Sequence, residues 1–196
     1  MNSRRILTLN GHPADNSLSE GLISAYLDGA AGSSSEIRRH DLSKMTFDPD
    51  FGSGGYKNPK PLEVDLEKFL TDLEWCNHFV IASPLWWGGM PSKLKGLFDR
   101  TLLPGRAFDP HVIKAGLPKP LLGGKTARIL LTSDTPNWAF SMMYGWAARK
   151  QMERQILKFV GIKPIKFSNF APAGEADTQK IEGWLNSVRE MGRKAA

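Results

Sequence analysis

The most constraining feature of this sequence is one continuous segment, residues 79–102, in which an apolar run, a glycine-rich loop and an amphipathic stretch follow one another. Residues 79–82 are all apolar and Ser83-Pro84 ends the run, which predicts a short strand buried on both faces. Pro91 suits the first turn of a helix, and apolar residues follow it at helical spacing: Leu94, Leu97, Phe98 and Leu102. Strand, loop and helix in this order predict a parallel sheet, whose ligands bind just beyond the carboxyl ends of the strands.

The loop inside this segment, residues 84–89, combines two adjacent tryptophans with two glycines. Glycine lets backbone come close to a ligand, so the loop is a candidate site for a flat aromatic molecule. The alternative is that the tryptophans are core or subunit-contact residues, which is the commoner role of such pairs. Because neighbouring residues on extended backbone point in opposite directions, one indole can pack inward while the other, or the N–H groups beside it, faces a ligand.

These residues resemble a known family. One segment resembles the flavin-contacting loop and the following helix of the flavodoxin-like NAD(P)H quinone reductases. It consists of Pro84-Leu85-Trp86-Trp87-Gly88-Gly89-Met90-Pro91, followed by Leu94-Lys95-Gly96 and Phe98-Asp99-Arg100. Two further segments match the same family. The first is Gly11-His12-Pro13 with Ser17-Leu18, and the second is Asp41-Leu42 with Met45, Phe47 and Pro49. The resemblance covers nearly the whole chain and implies a flavodoxin-like fold.

The order of predicted elements favours the same fold. Predicted strands cover residues 5–10, 36–42, 79–82, 126–132 and 162–170, and predicted helices follow Ser17 and Pro91 and cover 62–75, 147–160 and 176–194. We therefore expect an α/β, flavodoxin-like fold: a five-stranded parallel sheet in the order 2-1-3-4-5 with helices on both faces, forming a single flavin-binding domain over residues 1–196. Charge alternation in 36–42 and Pro164 in the last strand predict that these two strands lie at the edges.

Composition excludes several classes of protein. With 196 residues, 41% of them hydrophobic and 23% charged, the chain has an ordinary globular composition. Cys76 is the only cysteine and the four histidines lack ligand spacing, so we expect no disulfide and no metal site. The formal charge of +6 comes from dispersed basic residues, so we expect no nucleic-acid binding. The first apolar run is too short for a signal peptide, and we expect a cytoplasmic protein.

The loop after the first strand is a candidate anion site. Ser17 is a good N-cap and Glu20 completes a capping-box pattern, so the N–H groups of the first helical turn face the loop. Such a terminus attracts phosphate, because its N–H groups lack partners and the helix macrodipole is positive there. The candidate contacts for a flavin phosphate are His12, Asn16, Ser17 and Leu18. Capping alone is the competing explanation of Ser17.

The resemblance assigns the flavin ring to two loops. One side is contacted by Trp86, Trp87 and Gly88, with Pro84 and Leu85 of the same loop, and the other side by Thr132, Ser133, Asp134 and Thr135. Members of the mammalian type carry Thr-Thr-Gly-Gly after this strand and then a catalytic tyrosine and histidine, whereas this chain has no histidine after His111. A Tyr and His proton relay is therefore not expected. Tyr144 is the nearest phenol and is a candidate catalytic residue or a packing residue.

Two long irregular segments, residues 45–61 and 104–125, interrupt the regular pattern. Segments of this length are usually functional or packed against a partner. In the family an arm like 104–125 helps to form the subunit interface and shapes the substrate pocket, so we expect a homodimer.

No hydrolase elbow, P-loop or dinucleotide fingerprint is present in the sequence, so the chemistry must come from a cofactor. The resemblance implies a flavin that carries hydride from NAD(P)H to a small quinone-like acceptor by a ping-pong mechanism. FAD is expected, with FMN a close alternative, because the segment from Asp41 to Pro49 resembles the FAD-using branch. The alternatives are an ancillary regulatory subunit of a membrane potassium-efflux transporter, and an electron carrier, which the basic charge disfavours.

Overall fold

The computed structural model describes residues 4–32, 34–114 and 116–195. Ala115, within the predicted 104–125 arm, lies outside the described residues. The described strands are β1 (Arg5–Asn10), β2 (Glu36–Asp41), β3 (His78–Pro84), β4 (Phe108–Lys114), β5 (Leu117–Pro120), β6 (Thr126–Thr132) and β7 (Ile165–Phe170). The described α-helices are α1 (Leu18–Ala30), α2 (Val64–Trp75), α3 (Ser92–Thr101), α4 (Asn137–Met142), α5 (Ala147–Lys150) and α6 (Thr178–Arg193).

A parallel sheet of five strands forms the centre, in the order β2-β1-β3-β6-β7. Counted along the chain among these five, the order is 2-1-3-4-5, as the sequence predicted. The labels differ only because β4 and β5 form a separate antiparallel hairpin within the 104–125 arm. β2 and β7 lie at the two edges of the sheet, which confirms the edge positions predicted for these strands.

Alternation along the strands divides the core between the two faces of the sheet. In β3, Phe79 and Ile81 pack with one cluster of buried side chains, while Val80 and Ala82 pack with a second cluster on the opposite face. The first cluster includes side chains of α2 and α3, and the second includes those of α1 and α6. Residues 79–82 are buried on both faces as predicted, and β3 extends beyond them to His78 and Pro84, which are buried as well.

α1 and α6 approach so closely that their backbones require glycine. A Cβ added to Gly29 would lie 2.0 Å from the carbonyl oxygen of Arg189, and one added to Gly192 would lie 2.1 Å from that of Tyr26. The sequence contains no sign of this contact between α1 and α6.

The region predicted as one helix over 147–160 differs from the prediction. α5 is α-helical for four residues and continues as a π-helix over Gln151–Leu157. A short additional helix, α4, precedes it and was not predicted, because six residues are too few to show a helical period. β7 begins at Ile165 rather than 162, directly after Pro164, which has no N–H to donate to a neighbouring strand.

In the described part of the chain, no helix is both long and apolar enough to cross a membrane.

Candidate functional site

The candidate site lies at the carboxyl edge of the sheet, where β1, β3 and β6 end. β1 and β3 are neighbours in the sheet. After β1 the chain crosses to β2 on one side, and after β3 it crosses to β6 on the other side. This reversal makes a crevice between the loops that follow the two strands. The predicted site residues lie on loops at this edge or on the ends of the strands that lead into it, except Leu18, which is the first residue of α1.

The loop after β3 folds into a tight two-residue turn. The N–H of Trp86 donates to the carbonyl of Gly89 at 2.9 Å, and the N–H of Gly89 donates to the carbonyl of Trp86 at 3.0 Å. Trp87 and Gly88 occupy the turn with φ of 49° and 76°, which is the conformation of a type I′ turn. The amides of these two central residues have no backbone hydrogen-bond partner among the described residues.

This turn shows that the prediction of one indole packed inward on extended backbone was wrong. The extended backbone assumed for this loop is absent, and neither indole packs inward: Trp86 is 45% exposed and Trp87 is fully exposed. Left-handed backbone places Trp87 at the tip of the turn, where its side chain is exposed and lines the crevice. The ring of Trp86 instead contacts His12 edge to face, with 5.6 Å between ring centroids.

The loop after β1 is held against β3 at its first residue. The N–H of Gly11 donates to the carbonyl of Ala82 at 2.7 Å. A Cβ at Gly11 would lie 2.9 Å from that oxygen and 2.8 Å from a methyl group of Leu94, so this close approach requires glycine. The approach brings His12 beside Trp86 and thereby joins the β1 loop to the turn after β3.

The predicted cap of α1 is confirmed, with one difference from a standard capping box. The N–H of Glu20 donates to Ser17 Oγ at 3.2 Å, as predicted. The Glu20 carboxylate, however, accepts from the N–H of Asn16 at 2.9 Å rather than from that of Ser17. Asn16 adopts a left-handed φ of 57°, which turns the chain into the helix.

A guanidinium group offsets the negative charge of Glu20 near this helix terminus. Arg39 contacts Glu20 at 3.4 Å and forms a two-pronged pair with Asp41. Burial by itself would raise the pKa of Asp41, but the hydrogen bonds and charge of Arg39 outweigh it and lower that pKa overall. The terminus of α1 therefore keeps the positive character that attracts an anion.

The predicted residues at the end of β6 and just after it divide into buried and accessible groups. Thr132 and Ser133 are buried, and Ser133 Oγ is bonded to the carbonyl of Thr135 and to the side chain of Asn169. The Asp134 carboxylate accepts from the N–H of Gly174 at 2.7 Å, which fixes its orientation. Asp134 and Thr135 remain accessible from the crevice, whereas Pro84 is buried like Thr132 and Ser133.

These elements enclose a cavity of about 440 Å³. Six of its lining residues were predicted from the sequence: Leu85, Trp87, Gly88, Asp134, Thr135 and Tyr144. Three were not predicted, Phe140, Ala147 and Ala148, and they come from α4 and α5. Pro136 directly before α4 is the sequence signal for this missed helix, because proline favours a helix start.

The cavity and its surroundings fit a flavin. Its volume lies within the range of about 300 to 1,000 Å³ that small-molecule sites occupy. An exposed indole, a phenol and a phenyl ring supply flat apolar surface, the turn supplies the amides of Trp87 and Gly88, and the α1 terminus supplies donors for a phosphate.

Fold and site together define an α/β protein of flavodoxin-like architecture. A family model described as a flavodoxin-like fold matches residues 4–191, and the chain belongs to this family.

Several curated proteins are similar in sequence to this chain. The chain is 32% identical over 119 residues to the FMN-dependent NADH:quinone oxidoreductase 1 of Bradyrhizobium diazoefficiens, a match that covers 58% of this chain and 54% of that protein. It is 28% identical over 116 residues to an uncharacterized NAD(P)H oxidoreductase of Escherichia coli, covering 57% of this chain and 59% of that protein. The matches span less than two thirds of the length of these relatives.

Solved structures match over nearly the full length. Smu.1420 from Streptococcus mutans superposes with a TM-score of 0.81 at 25% identity, covering 97% of this chain and 99% of that one. An NAD(P)H:quinone oxidoreductase from Methanothermobacter marburgensis superposes with a TM-score of 0.79 at 22% identity, covering 98% and 96% of the two chains. At 22% identity, the similarity to the Methanothermobacter marburgensis structure establishes the fold alone.

Proposed function

We propose that this protein is a flavin-dependent NAD(P)H oxidoreductase that passes hydride to a quinone or a similar electrophilic acceptor by a ping-pong mechanism, and that residues 1–196 form one flavin-binding domain. The observation that carries the proposal is the cavity of about 440 Å³ between the Trp86–Gly89 turn and α4–α5 at the sheet's switch point. The names of the Bradyrhizobium and Escherichia relatives support the reaction class.

The proposed role of the β1 loop is to hold the flavin phosphate. The hydroxyl of Ser17 uses its oxygen to accept from Glu20 and keeps its proton, so it can donate to a phosphate oxygen. The first-turn amide of Leu18 is a further donor, because it has no partner within its own helix. His12 and Asn16 flank this terminus and complete the proposed phosphate contacts.

The proposed role of the two remaining loops is to hold the ring and its polar edge. The amides of Trp87 and Gly88 would donate to ring oxygens or nitrogens, and Asp134 and Thr135 would close the opposite side with Leu85 beneath. Trp86 supports this arrangement through its contact with His12. The buried Pro84, Thr132 and Ser133 would act by fixing the two strand ends rather than by facing the cavity.

When bound, a flavin supplies the hydride-accepting and hydride-donating centre. The chain's contribution is to leave one ring face open and to shield it from water with the aromatic side chains around the cavity. Tyr144 lines the cavity and is half exposed, so its hydroxyl can donate a hydrogen bond to the oxygen of an acceptor that stacks on the open face.

We propose FMN as the flavin rather than the FAD expected from the resemblance. The relatives from Bradyrhizobium diazoefficiens and Pseudomonas savastanoi are named as FMN-dependent, which supports the smaller cofactor. The names of these relatives do not favour the transporter-subunit alternative.

We also propose a homodimer. Exposed apolar side chains cluster on two segments: Val112, Ile113, Leu117 and Leu121 on the hairpin arm, and Trp138, Met142, Met143 and Tyr144 beside the cavity. Exposed apolar surface of this kind is typical of an interface, and two-fold pairing is the commonest assembly. The fully exposed indole of Trp87 would join the same interface.

The test is to purify the chain, identify its chromophore by mass spectrometry, and measure NADH and NADPH oxidation with menadione. We expect a yellow protein that releases FMN and shows quinone-dependent turnover. Trp87→Ala should weaken FMN binding about threefold to tenfold, since aromatic stacking contributes roughly 0.5–1.5 kcal/mol. Trp138→Ala is the matched control, because Trp138 is also exposed but does not line the cavity.

A colourless protein that gains no flavin spectrum with FMN or FAD would contradict the proposal. A protein that binds flavin but oxidises neither nucleotide with menadione would contradict the reaction while leaving the cofactor site intact.

A further inference from the structure

A second cavity, of about 490 Å³, lies at the opposite end of the sheet from the proposed flavin site. It opens where β3, β6 and β7 begin, and its lining includes the first residues of two strands, His78 and Thr126. β3 is seven residues long, so this cavity lies about 20 Å from the flavin cavity along the strand at about 3.3 Å per residue. None of the residues assigned to the flavin site lines it.

The lining of this cavity carries positive charge without a balancing carboxylate. Four cationic side chains line it, Arg4, Arg128, Lys166 and Lys194, and none of the described lining residues is acidic. Within residues 4–32, 34–114 and 116–195, no ion pair joins any of these four to an aspartate or glutamate. Other arginines of the described chain, such as Arg39 and Arg106, do have such partners.

Two of the four cationic groups, Arg4 and Arg128, contact neighbouring side chains in the wall of the cavity. The Tyr26 hydroxyl lies 3.0 Å from His78 Nε2, and Thr126 Oγ1 lies 2.6 Å from His78 Nδ1. Arg4 donates to the same Thr126 oxygen at 3.4 Å, and an Nη of Arg128 contacts the sulfur of Met191 at 3.2 Å. The Nε of Arg128 is buried and has no hydrogen-bond partner. A buried guanidinium N–H without an acceptor is costly unless a ligand or solvent satisfies it.

The electrostatic effect of these cations extends to the buried histidine. Burial, together with the positive charges of Arg4, Arg128 and Lys166, lowers the pKa of His78 to about 3. The imidazole therefore stays neutral at physiological pH, and the potential at the cavity is positive because of the arginines and lysines alone.

We propose that this cavity binds a phosphate group, either as inorganic phosphate or as the phosphate of a small organic molecule. Guanidinium groups match phosphate oxygens in geometry, and several unpaired cations match its multiple negative charge. The volume exceeds the need of a single phosphate and falls within the range of small-molecule sites. Ala127 and Pro164 add apolar lining that can contact an organic portion.

Isothermal titration of the full chain with inorganic phosphate tests the proposal, at low ionic strength and with FMN in excess so that the α1 terminus is already filled. Lys166→Gln is the main variant because Lys166 is exposed and its replacement leaves the core unchanged. Arg128→Gln is the second variant. Lys68→Gln, on the exposed face of α2, is the matched control for net charge.

We expect the dissociation constant for phosphate to rise about tenfold in Lys166→Gln and to stay within twofold in Lys68→Gln. Amide NMR shifts on adding phosphate should concentrate at residues 126–128 and 165–167. Glycerol 3-phosphate, run as a parallel titrant, identifies an organic phosphate as the ligand if it binds more tightly than inorganic phosphate, and free phosphate if it does not. Equal weakening by Lys166→Gln and Lys68→Gln, or shifts confined to other parts of the chain, would overturn the proposal.

Discussion

Ser17 illustrates how one side chain can serve both the fold and a ligand. Its oxygen accepts the N–H of Glu20, which satisfies one of the otherwise unpaired donors at the start of α1. Its hydroxyl proton is not used by this bond and remains free to donate. The structural role and the proposed binding role therefore involve different atoms of the same group, and a substitution separates them only when stability and binding are both measured.

Ser17→Ala should weaken FMN binding more than it weakens the fold. Loss of the cap costs on the order of 1 kcal/mol of stability. Loss of a charge-assisted hydrogen bond to phosphate costs about 1.5–3 kcal/mol, which is roughly a tenfold to hundredfold rise in the dissociation constant. The measurements are FMN titration and thermal melting of the FMN-free protein, each with wild type and variant.

The control for Ser17→Ala is Asp177→Ala, because Asp177 caps α6 in the same way by accepting the N–H of Lys180 at 2.8 Å. The control should lower the melting temperature comparably and leave the FMN dissociation constant unchanged. An unchanged FMN dissociation constant in Ser17→Ala, together with a lowered melting temperature, would show that Ser17 is only a cap.

Among the elements, the irregular segment 45–61 is fixed by a buried arginine rather than by regular structure. Arg100 on α3 is 1% exposed, and its guanidinium donates to the carbonyls of Asp48 and Pro61 and pairs with Glu63 at 2.8 Å. Next to it, Gly96 allows Pro49 to pack directly on α3, since a Cβ there would lie 2.5 Å from Pro49 Cβ. Arg100 and Gly96 thus anchor both ends of the segment to α3.

Arg100→Gln should destabilise the protein by about 2–3 kcal/mol, because hydrogen bonds to a charged group are lost and two carbonyls are left without a donor. Urea denaturation followed by circular dichroism measures the change. Arg106→Gln is the matched control: its pairs with Glu67 and Glu74 are partly exposed, so the expected cost is about 0–1 kcal/mol. A similar loss of unfolding free energy in the two variants would show that the burial of Arg100 adds nothing to the stability its bonds provide.

At the scale of the whole molecule, the hairpin β4–β5 exposes apolar side chains that no other part of the described chain covers. It stands apart from the central sheet and presents Ile113 and Leu117 to solvent at 62% and 60% exposure. Its base is nevertheless anchored, since the N–H of Leu122 donates to the carbonyl of Val160 and Phe108 packs against Phe159. An anchored but uncovered apolar arm is suited to contact with a second subunit.

Light scattering at micromolar concentration should give twice the mass of the chain, and Ile113→Asp combined with Leu117→Asp should shift it toward the monomer mass. A buried carboxylate at an apolar interface is strongly unfavourable, whereas the same change on an exposed surface costs little. Val64→Asp supplies the comparison, because Val64 is an exposed apolar residue on α2 outside the arm. A monomer mass for the unmodified chain would rule out the dimer.

Local patterns in the sequence were sufficient for the parts of this fold that depend on neighbouring residues. The apolar run at 79–82 predicted a strand buried on both faces, and the Ser17–Glu20 spacing predicted the start of α1. Both predictions rest on periodicity and capping, which act within one or two turns of chain. The sheet order also followed, because alternating strands and helices allow few arrangements.

The tertiary structure alone decided how distant segments meet. It showed that both indoles are exposed on a two-residue turn, that α4 and α5 complete the flavin-sized cavity, and that Arg4, Arg128, Lys166 and Lys194 surround a second one. These four cations are spread over most of the chain and give no local pattern. A cavity and its charge are set by the packing of whole elements, which hydrophobic periodicity orients but does not position.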